Sequence, residues 1–472
     1  MNNLISLKNI SKSFSNNRKI NVLKKINYSF TKGKIYSLVG PSGSGKSTLL
    51  NVLSMIDKPT TGSLSIGGCS VADLAEQYGT PLFVYDEEHI RNRCREAVAA
   101  FGVDRVIYAS KAFMCSAMAR LVSEEGLLLD VASGGELYVA MHGGVPASRC
   151  TLHGNNKSIE ELEMAITKGV RHIVVDSFDE IERLETLSRR GLPAPKLMIR
   201  VTPGVHAHTH DFIATGQDDS KFGFNLGNGD AAKAIVRIQN GASDGAKAGE
   251  LIGVHCHIGS NVLAVNSFAK AAEIMAEFSK PYGLPELTLG GGLGVAYTEG
   301  EEAPTITMWG SVLLDACETL GVTAEVSVEP GRAIVASSAI TVYRVGTVKE
   351  IPGIRTYISV DGGMSDNPRP VLYGSGYEAF KTSDVMAERP MNARLVGKHC
   401  ESGDILIFEG QFPSDIAVDD LIATPVTGAY GHSMASNYNK VPRPAVVFVA
   451  NGASRLVIRR ETYEDLVRLD VS

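Results

Sequence analysis

The chain has 472 residues and a formal net charge of −6; 44% of its residues are hydrophobic and 21% are charged. This length predicts two or three domains, and the mildly acidic balance argues against a nucleic acid or an anionic membrane as a partner. No signal-peptide core or uninterrupted run of about 18 apolar residues is present, and the seven cysteines lack paired C-x-x-C spacing. We therefore expect a cytoplasmic protein with free thiols.

Residues 1–66 differ in composition from the rest of the chain, being rich in Lys, Asn, Ser and Ile. An apolar run at 35–39 predicts a strand, and a complete G-x-x-x-x-G-K-S phosphate-binding loop follows it. Glycines let the backbone amides turn towards a phosphate, while the lysine reaches the terminal phosphates and the serine holds magnesium. The residues expected to bind a nucleotide are Gly40, Gly45, Lys46 and Ser47.

This segment resembles the beginning of an ABC transporter ATPase. The later parts of that family, including the glutamine loop, the LSGGQ signature and the switch histidine, do not follow in the sequence. We interpret residues 1–66 as a truncated P-loop NTPase fragment and expect no ATP hydrolysis. A function as an ATP-binding transport subunit is the alternative, and it would account for this segment alone.

A repeated pattern begins near residue 105, in which an apolar run is followed by polar or glycine residues and then by a helical pattern. Eight such units favour a (β/α)8 TIM barrel, whose active site lies at the carboxyl ends of the strands. A doubly wound open sheet is the alternative, but it does not normally carry polar residues at every strand end. The predicted strands are 106–110, 127–130, 151–154, 172–176, 196–201, 251–257, 286–289 and 325–328.

The strand ends carry side chains suited to one cofactor, pyridoxal 5′-phosphate (PLP). Lys111 follows the first buried strand, where desolvation would favour a nucleophilic amine that forms a Schiff base. PLP also needs a partner for its ring nitrogen and a phosphate cradle. Glu329 suits the ring nitrogen and His257 could stack on the ring. The glycines Gly290, Gly291 and Gly292, together with Arg332, follow strands seven and eight, where barrels commonly bind phosphate.

A metal site is an alternative for the histidines. His255 and His257 point the same way on a predicted strand, and His206, His208 and His210 lie close together. No Asp, Glu or Cys at metal-ligand spacing accompanies either group in the sequence, so we expect no metal.

The sequence after Arg332 consists of short apolar runs typical of strands, separated by glycines and turns. This pattern predicts an all-β barrel domain. Residues 80–86 are expected to add a strand to this domain from the amino-terminal side. The predicted organisation is 1–66, P-loop fragment; 67–100, lead-in strand and helix; 101–338, PLP-binding barrel; and 339–472, β-barrel domain.

Ordered motifs from residue 64 to the end resemble the diaminopimelate decarboxylase family. Among them are D-G-G-M-S-D-N-P-R-P at 361–370, H-C-E-S-G-D at 399–404 and S-M-A-S-N-Y-N at 433–439. The resemblance implies an alanine-racemase-like fold, PLP as cofactor and a homodimer with shared active sites. It also implies that meso-2,6-diaminoheptanedioate is converted to L-lysine and carbon dioxide.

The same resemblance implies a role for each matching residue. Lys111 would carry the cofactor and Cys400 would donate the proton, with Cys400 and Glu401 reaching the site from the partner subunit. Arg369 argues against ornithine or arginine as substrate, because neither has a distal carboxylate. The implied cofactor residues are Lys111, His257, Ser260, Gly290, Gly291, Gly292, Glu329, Pro330, Gly331, Arg332 and Tyr430. The implied substrate residues are Arg332, Arg369, Tyr373, Glu401 and Tyr430.

Overall fold

The computed structural model describes residues 3–16, 18–31, 44, 46, 49, 64–205 and 219–471. The amino-terminal part contains β1 (Asn3–Asn16) and β2 (Arg18–Thr31), which pair as an antiparallel hairpin. Three of the expected nucleotide-binding residues and the histidine cluster at 206–210 lie outside the described residues. Those three are Gly40, Gly45 and Ser47.

Three short strands lead into the main fold. β3 (Ser65–Ile66) and β4 (Cys69–Ser70) form a small hairpin, and β5 (Leu82–Asp86) follows the helix Val71–Tyr78. The helix Glu87–Phe101 comes next, and the side chain of Asp86 caps it by accepting a hydrogen bond from the backbone N–H of His89. The ring centroids of Phe101 and Trp309 lie 5.2 Å apart, so this helix packs against the outer helices of the barrel.

Eight parallel strands form the predicted barrel, each within two residues of its expected bounds. They are β6 (Ile107–Ala109), β7 (Leu128–Val131), β8 (Cys150–Leu152), β9 (His172–Val175), β10 (Lys196–Thr202), β12 (Glu250–Cys256), β13 (Glu286–Thr288) and β14 (Glu325–Ser327). The short β11 (Phe224–Asn225) pairs with β10 alone. The ring closes where the N–H of Ile107 donates to the carbonyl of Val328 at 2.8 Å. The barrel prediction is therefore confirmed.

Amphipathic helices cover the outside of the barrel. Ile159–Lys168 shows why they form: Ser158 and Glu161 make a reciprocal capping box, and Gly169 ends the helix in the left-handed region. The others are Ser116–Glu124, Gly134–His142, Phe178–Arg189, Asp230–Asn240, Val265–Ser279 and Ile306–Thr319. The short helix Arg332–Val335, which follows β14, is fully buried. Among the described residues, no helix combines the length and the apolar character needed to cross a membrane.

A mixed sheet domain occupies the position of the predicted all-β domain. Its strands are β15 (Ala339–Ile351), β16 (Arg355–Val360), β17 (Phe380–Lys381), β18 (Met391–Val396), β19 (Ile405–Phe412), β20 (Leu421–Pro425), β21 (Ala445–Ala450) and β22 (Ala453–Ile458). Their order is β19-β18-β16-β15-β5-β21-β22, and β20 pairs with β15 and β17. β5 lies between β15 and β21, as expected for residues 80–86. The short helices Arg369–Tyr373 and Tyr463–Val467 lie in the same part of the chain.

The barrel and the sheet domain meet next to the first barrel strand. The ring of Tyr85 on β5 stacks on Phe113 with 4.4 Å between the ring centroids, and the hydroxyl of Tyr85 donates to the carbonyl of Gly428. This packing brings loops of the sheet domain to the carboxyl ends of the barrel strands, where the predicted site residues begin.

Candidate active site

A cavity of about 1140 Å³ lies at the carboxyl ends of the barrel strands and extends to the sheet domain. The structure brings most of the predicted site residues together on its walls. Those lining it are Lys111, His257, Ser260, Gly292, Glu329, Gly331, Arg332, Arg369, Tyr373 and Tyr430. The predicted residues outside this lining are Gly290, Gly291, Pro330, Cys400 and Glu401.

Lys111 lies on a short 3₁₀ turn, Ser110–Ala112, directly after β6. Its side chain is exposed to the cavity, whereas Ser110 and Ala112 on either side of it are buried. The expectation of a desolvated lysine was therefore wrong, because the turn carries the side chain past the end of the buried strand into open space. The amine is accessible to a carbonyl compound in the cavity.

Glu329 is buried at the base of the cavity between two histidines. Its Oε2 lies 2.8 Å from Nε2 of His255, and its Oε1 lies 3.0 Å from Nε2 of His153. Burial alone would raise the pKa of Glu329, but the two imidazoles outweigh burial and hold that pKa well below its usual range. The carboxylate is therefore ionised.

The two histidines respond differently to this carboxylate. Burial acts to lower the pKa of His153, but Asp130 and Glu329 outweigh it and raise that pKa, whereas burial lowers the pKa of His255. The sequence has no acidic residue at metal-ligand spacing from His255, and the carboxylate that His255 contacts, Glu329, lies 74 residues further along the chain. Two imidazoles and one carboxylate could also hold a metal ion, but the hydrogen bond from His255 to Glu329 and the ion pair between Glu329 and His153 already account for their contact.

His257 and Gly292 form part of one wall of the cavity, and Gly290 and Gly291, the other glycines of the triplet, lie outside its lining. Burial, followed by the positive charges of Lys111 and Arg200, lowers the pKa of His257 well below its usual value, so its ring is neutral. The backbone N–H of Gly291 donates to Nδ1 of His257 at 3.2 Å and fixes the ring. Gly291 thus acts from behind the cavity wall.

The triplet has no room for side chains. A Cβ at Gly291 would lie 1.9 Å from the carbonyl oxygen of Glu329, and one at Gly292 would lie 2.0 Å from that of Gly259. Gly292 also has a φ of +105°, which side-chain-bearing residues rarely adopt. Only glycine allows the backbone to approach this closely, as a phosphate cradle requires.

Two buried arginines also line the cavity. Arg332 donates from Nη2 to Oγ of Ser260 at 3.0 Å and from Nη1 to the hydroxyl of Tyr297, and its guanidinium lies 4.8 Å from the ring centroid of Tyr430. Arg369 donates from Nη1 to the hydroxyl of Tyr377. The Nε atoms of both arginines are buried and have no hydrogen-bond partner among the described residues.

Tyr297 and Tyr377 were missed by sequence reasoning. Tyr297 lies in the connection between β13 and the helix Ile306–Thr319, and Tyr377 lies in the loop after the helix Arg369–Tyr373. Neither segment has a periodic pattern that would place a side chain. The signal that could have found them was the presence of tyrosines in loops that follow a barrel strand or a predicted substrate residue.

Cys400 and Glu401 lie in the loop between β18 and β19, away from the cavity lining. Cys400 is exposed, and its backbone N–H donates to Oδ1 of Asn439 at 3.1 Å. Beside it, Nε2 of His399 lies 2.8 Å from Oγ of Ser365. This loop is fixed by the sheet domain and presents the thiol to the outside of the chain. The other six cysteines are free and at least partly buried.

A buried ion pair supports the loop after β8. Nζ of Lys157 donates to the carbonyl oxygens of Gly154 and Val174 at 2.7 and 2.6 Å, and to Oε1 of Glu180 at 2.8 Å. Both side chains are about 2% exposed. Gly154 lines the cavity beside His153, so the pair holds part of the cavity wall.

The residues present fit PLP. The cavity offers an accessible amine on Lys111, an ionised carboxylate on Glu329, a neutral imidazole on His257 and a glycine cradle beside Arg332. An anion also suits the unpartnered Nε of this buried arginine. These protein groups match the ring nitrogen, the ring face, the aldehyde and the phosphate of PLP.

Family comparisons agree with this geometry. Residues 87–336 match the pyridoxal-binding domain of pyridoxal-dependent decarboxylases, and residues 23–112 match the ABC transporter family. The second match is consistent with the amino-terminal fragment inferred from the phosphate-binding loop.

Comparison with individual relatives makes the family assignment more specific. Diaminopimelate decarboxylases of Mycobacterium tuberculosis and Bacillus subtilis are each 47% identical to this chain, over 87% of it and 95% of their own length. Among solved structures, the M. jannaschii diaminopimelate decarboxylase in complex with L-lysine is 31% identical with a TM-score of 0.79, and covers 87% of this chain and 96% of its own. The Helicobacter pylori enzyme with L-lysine is 30% identical with a TM-score of 0.77, over 84% and 98% of the two chains. The chain therefore belongs to the diaminopimelate decarboxylase family of pyridoxal-dependent decarboxylases.

Proposed function

We propose that this chain catalyses the PLP-dependent decarboxylation of meso-2,6-diaminoheptanedioate to L-lysine and carbon dioxide. The observation that carries the proposal is a single cavity that joins an accessible lysine and a buried carboxylate to two buried arginines. The first two groups suit the cofactor, and the arginines suit a substrate that is itself a dicarboxylate.

Each cofactor-side residue has a defined task. PLP, when bound, supplies an electron sink for the pair of electrons left by the departing carbon dioxide. Lys111 holds the cofactor covalently through Nζ. Glu329, kept ionised by His153 and His255, holds a proton on the ring nitrogen. His257 packs its neutral ring against the cofactor, and Ser260 and Gly292 hold the phosphate. Arg332 donates to Ser260 and so lies next to the phosphate, with its charge shared with the substrate side.

The substrate side distinguishes this reaction from related ones. A guanidinium binds a carboxylate through paired, charge-assisted hydrogen bonds. Arg369 is 4% exposed and lines the cavity, so its charge is available to a ligand in the cavity and not to bulk solvent. Ornithine and arginine have no second carboxylate to offer it, whereas meso-2,6-diaminoheptanedioate does. Tyr373 and Tyr430 complete the substrate side.

A homodimer supplies the remaining groups. Because Cys400 is exposed and lies outside the cavity lining, we propose that it serves the active site of a second subunit as proton donor. Glu401 would bind the distal ammonium group of the substrate in that same site. The seven free cysteines favour a reducing compartment, and we place the reaction in the cytoplasm.

The proposal is tested by measuring carbon dioxide release and L-lysine formation by the PLP-loaded enzyme. We expect release from meso-2,6-diaminoheptanedioate to exceed release from ornithine, arginine or lysine by orders of magnitude. Lys111→Ala should abolish it, while Lys233→Ala, on an exposed helix face, should not. Equal release from all four amino acids, or none from the dicarboxylate, would overturn the assignment.

Subunit sharing is tested by mixing two inactive variants. Lys111→Ala and Cys400→Ala should each be inactive alone, but a mixture that exchanges subunits should regain part of the activity, because each hybrid dimer contains one intact site. Failure of complementation between two folded dimeric variants would place Cys400 outside the shared site.

A further inference from the structure

We propose that Tyr297 and Tyr377 are positioning residues that hold Arg332 and Arg369 as a fixed pair and thereby make the site selective for ligands with a distal carboxylate. This inference rests on the proposed function and deepens it. It concerns two residues that the family motifs in the sequence did not single out.

Tyr297 contacts both arginines at once. Its hydroxyl accepts a hydrogen bond from Nη1 of Arg332, and its ring face lies 4.2 Å below the guanidinium carbon of Arg369. A cation over an aromatic face within about 6 Å is attracted by the ring quadrupole, more strongly when both groups are away from water. Tyr297 is 6% exposed, so it meets this condition. One side chain therefore sets the spacing between the two cations.

Tyr377 completes the arrangement from the other side. Its hydroxyl accepts a hydrogen bond from Nη1 of Arg369, and its ring meets that of Tyr297 edge to face, with 5.4 Å between centroids. Burial raises the pKa of Tyr377 to about 12, so the phenol stays neutral. It orients the guanidinium without cancelling its charge.

The charges of the two arginines remain available to a ligand. In the described part of the chain neither arginine forms an ion pair with a carboxylate, and the Nε atom of each is buried without a hydrogen-bond partner. A buried cation without a counter-ion is costly, and an anionic ligand would remove that cost. The tyrosines thus keep the pair oriented but unneutralised.

The loop that carries Tyr297 is itself fixed. The backbone N–H groups of Tyr297 and Thr298 donate to Oε2 of Glu301 at 2.7 and 3.3 Å. Because this carboxylate is engaged by the backbone, the position of the tyrosine is determined before a ligand arrives. Such pre-organisation favours one ligand geometry over others.

Selectivity can be measured with two ligands that differ by one carboxylate. L-lysine, the proposed product, keeps the distal carboxylate, and cadaverine is the same diamine without it. The PLP-loaded enzyme is titrated with each, and binding is followed by the change in the visible absorbance of the cofactor. The ratio of the two dissociation constants then reports the carboxylate contribution alone.

We expect Tyr377→Phe to lower the preference for L-lysine about tenfold, the loss typical of one charge-assisted hydrogen bond. Cadaverine binding should change less than about twofold. Tyr297→Leu, which removes both the hydroxyl and the ring, should lower the preference further than Tyr297→Phe, which keeps the ring face under Arg369. Tyr138→Phe, on an exposed helix position, is the matched control.

An unchanged ratio in all three variants, or an equal loss of affinity for both ligands, would overturn the inference, since a merely structural role would weaken both. The cofactor absorbance of each variant shows whether its site is still assembled. If the wild-type enzyme releases carbon dioxide from the dicarboxylate but the ratio of dissociation constants is the same in the variants, only this inference is wrong. If the wild-type enzyme releases no carbon dioxide from the dicarboxylate, the proposed function is wrong.

Discussion

The carbonyl oxygen of Ala112 accepts a hydrogen bond from the backbone N–H of Tyr430 at 2.8 Å. Ala112 directly follows Lys111, while Tyr430 belongs to the sheet domain and has a positive φ of 59°. A non-glycine residue in that region costs about 1 kcal/mol or more and persists only where its surroundings require it. The domain contact therefore fixes the turn that presents Lys111 and, at the same time, the ring beside Arg332.

Ser433→Ala tests this contact without altering the cavity lining. The hydroxyl of Ser433 also donates to the carbonyl of Ala112, at 3.0 Å. Losing one neutral hydrogen bond of about 1 kcal/mol should weaken PLP binding roughly fivefold. Fluorescence titration of the cofactor-free protein with PLP measures this, and Ser311→Ala on an outer helix serves as control. Unchanged affinity would show that the contact does not act on the lysine turn.

His153→Gln should change how stability depends on pH. The folded-state pKa of His153 is raised above its ordinary value of 6.5. The contribution of protonated His153 to the free energy of unfolding is therefore fully present below pH 6.5 and is lost as the pH rises through the folded-state pKa. Glu329 has a lowered pKa, so its contribution to the free energy of unfolding is present above pH 4.5 and is lost as the pH falls through its folded-state pKa. Both contributions coexist in mildly acidic solution.

We therefore expect the variant to lose roughly 2 kcal/mol of unfolding free energy near pH 6 and much less near pH 9. Denaturant titrations at the two pH values measure the difference, and His142→Gln on an outer helix is the control. An equal loss at both values would mean that His153 is neutral in the fold.

Lys157→Met should destabilise the barrel severely. It leaves the buried carboxylate of Glu180 without its partner, which typically costs roughly 3–5 kcal/mol. Adding Glu180→Gln removes the unpaired buried carboxylate and should recover much of the lost free energy of unfolding. Lys233→Met, which breaks an exposed pair with Asp230, should leave the denaturation midpoint unchanged. If the double variant is no more stable than the single one, the cost does not come from an unpaired charge.

Lys46→Ala should leave decarboxylation unchanged. Lys46 belongs to the amino-terminal fragment, and the pyridoxal-dependent decarboxylase match begins at residue 87. Steady-state kinetics with and without the substitution provide the check, together with an assay for phosphate release from Mg-ATP. Lys46-dependent hydrolysis of ATP would reverse the interpretation of residues 1–66 as a truncated fragment.

The fold was predictable because its signals are local. Each barrel strand is a short apolar run followed by polar or glycine residues, and the ends of the helix Ile159–Lys168 are marked in the sequence by Ser158 and Gly169. The polar strand ends also predicted which residues would meet in the cavity, since parallel strands place their carboxyl ends at one edge.

The contacts between those residues were not predictable. Nothing in the spacing shows that His153 and His255 would share the carboxylate of Glu329, because the contact crosses the barrel interior. Exposure of Lys111 depends on one 3₁₀ turn that the apolar pattern does not mark. Tyr297 and Tyr377 come from irregular loops, so only the packed structure places them against the arginines.

The most direct test of the account is to find the lysine that carries the cofactor. Borohydride reduces a lysine–PLP C=N bond to a stable amine, after which proteolysis and mass spectrometry locate the added mass. We predict the label on the peptide containing Lys111 and its loss in Lys111→Ala. A label on another lysine of the cavity, such as Lys221, or no label on a cofactor-saturated enzyme, would contradict the central claim.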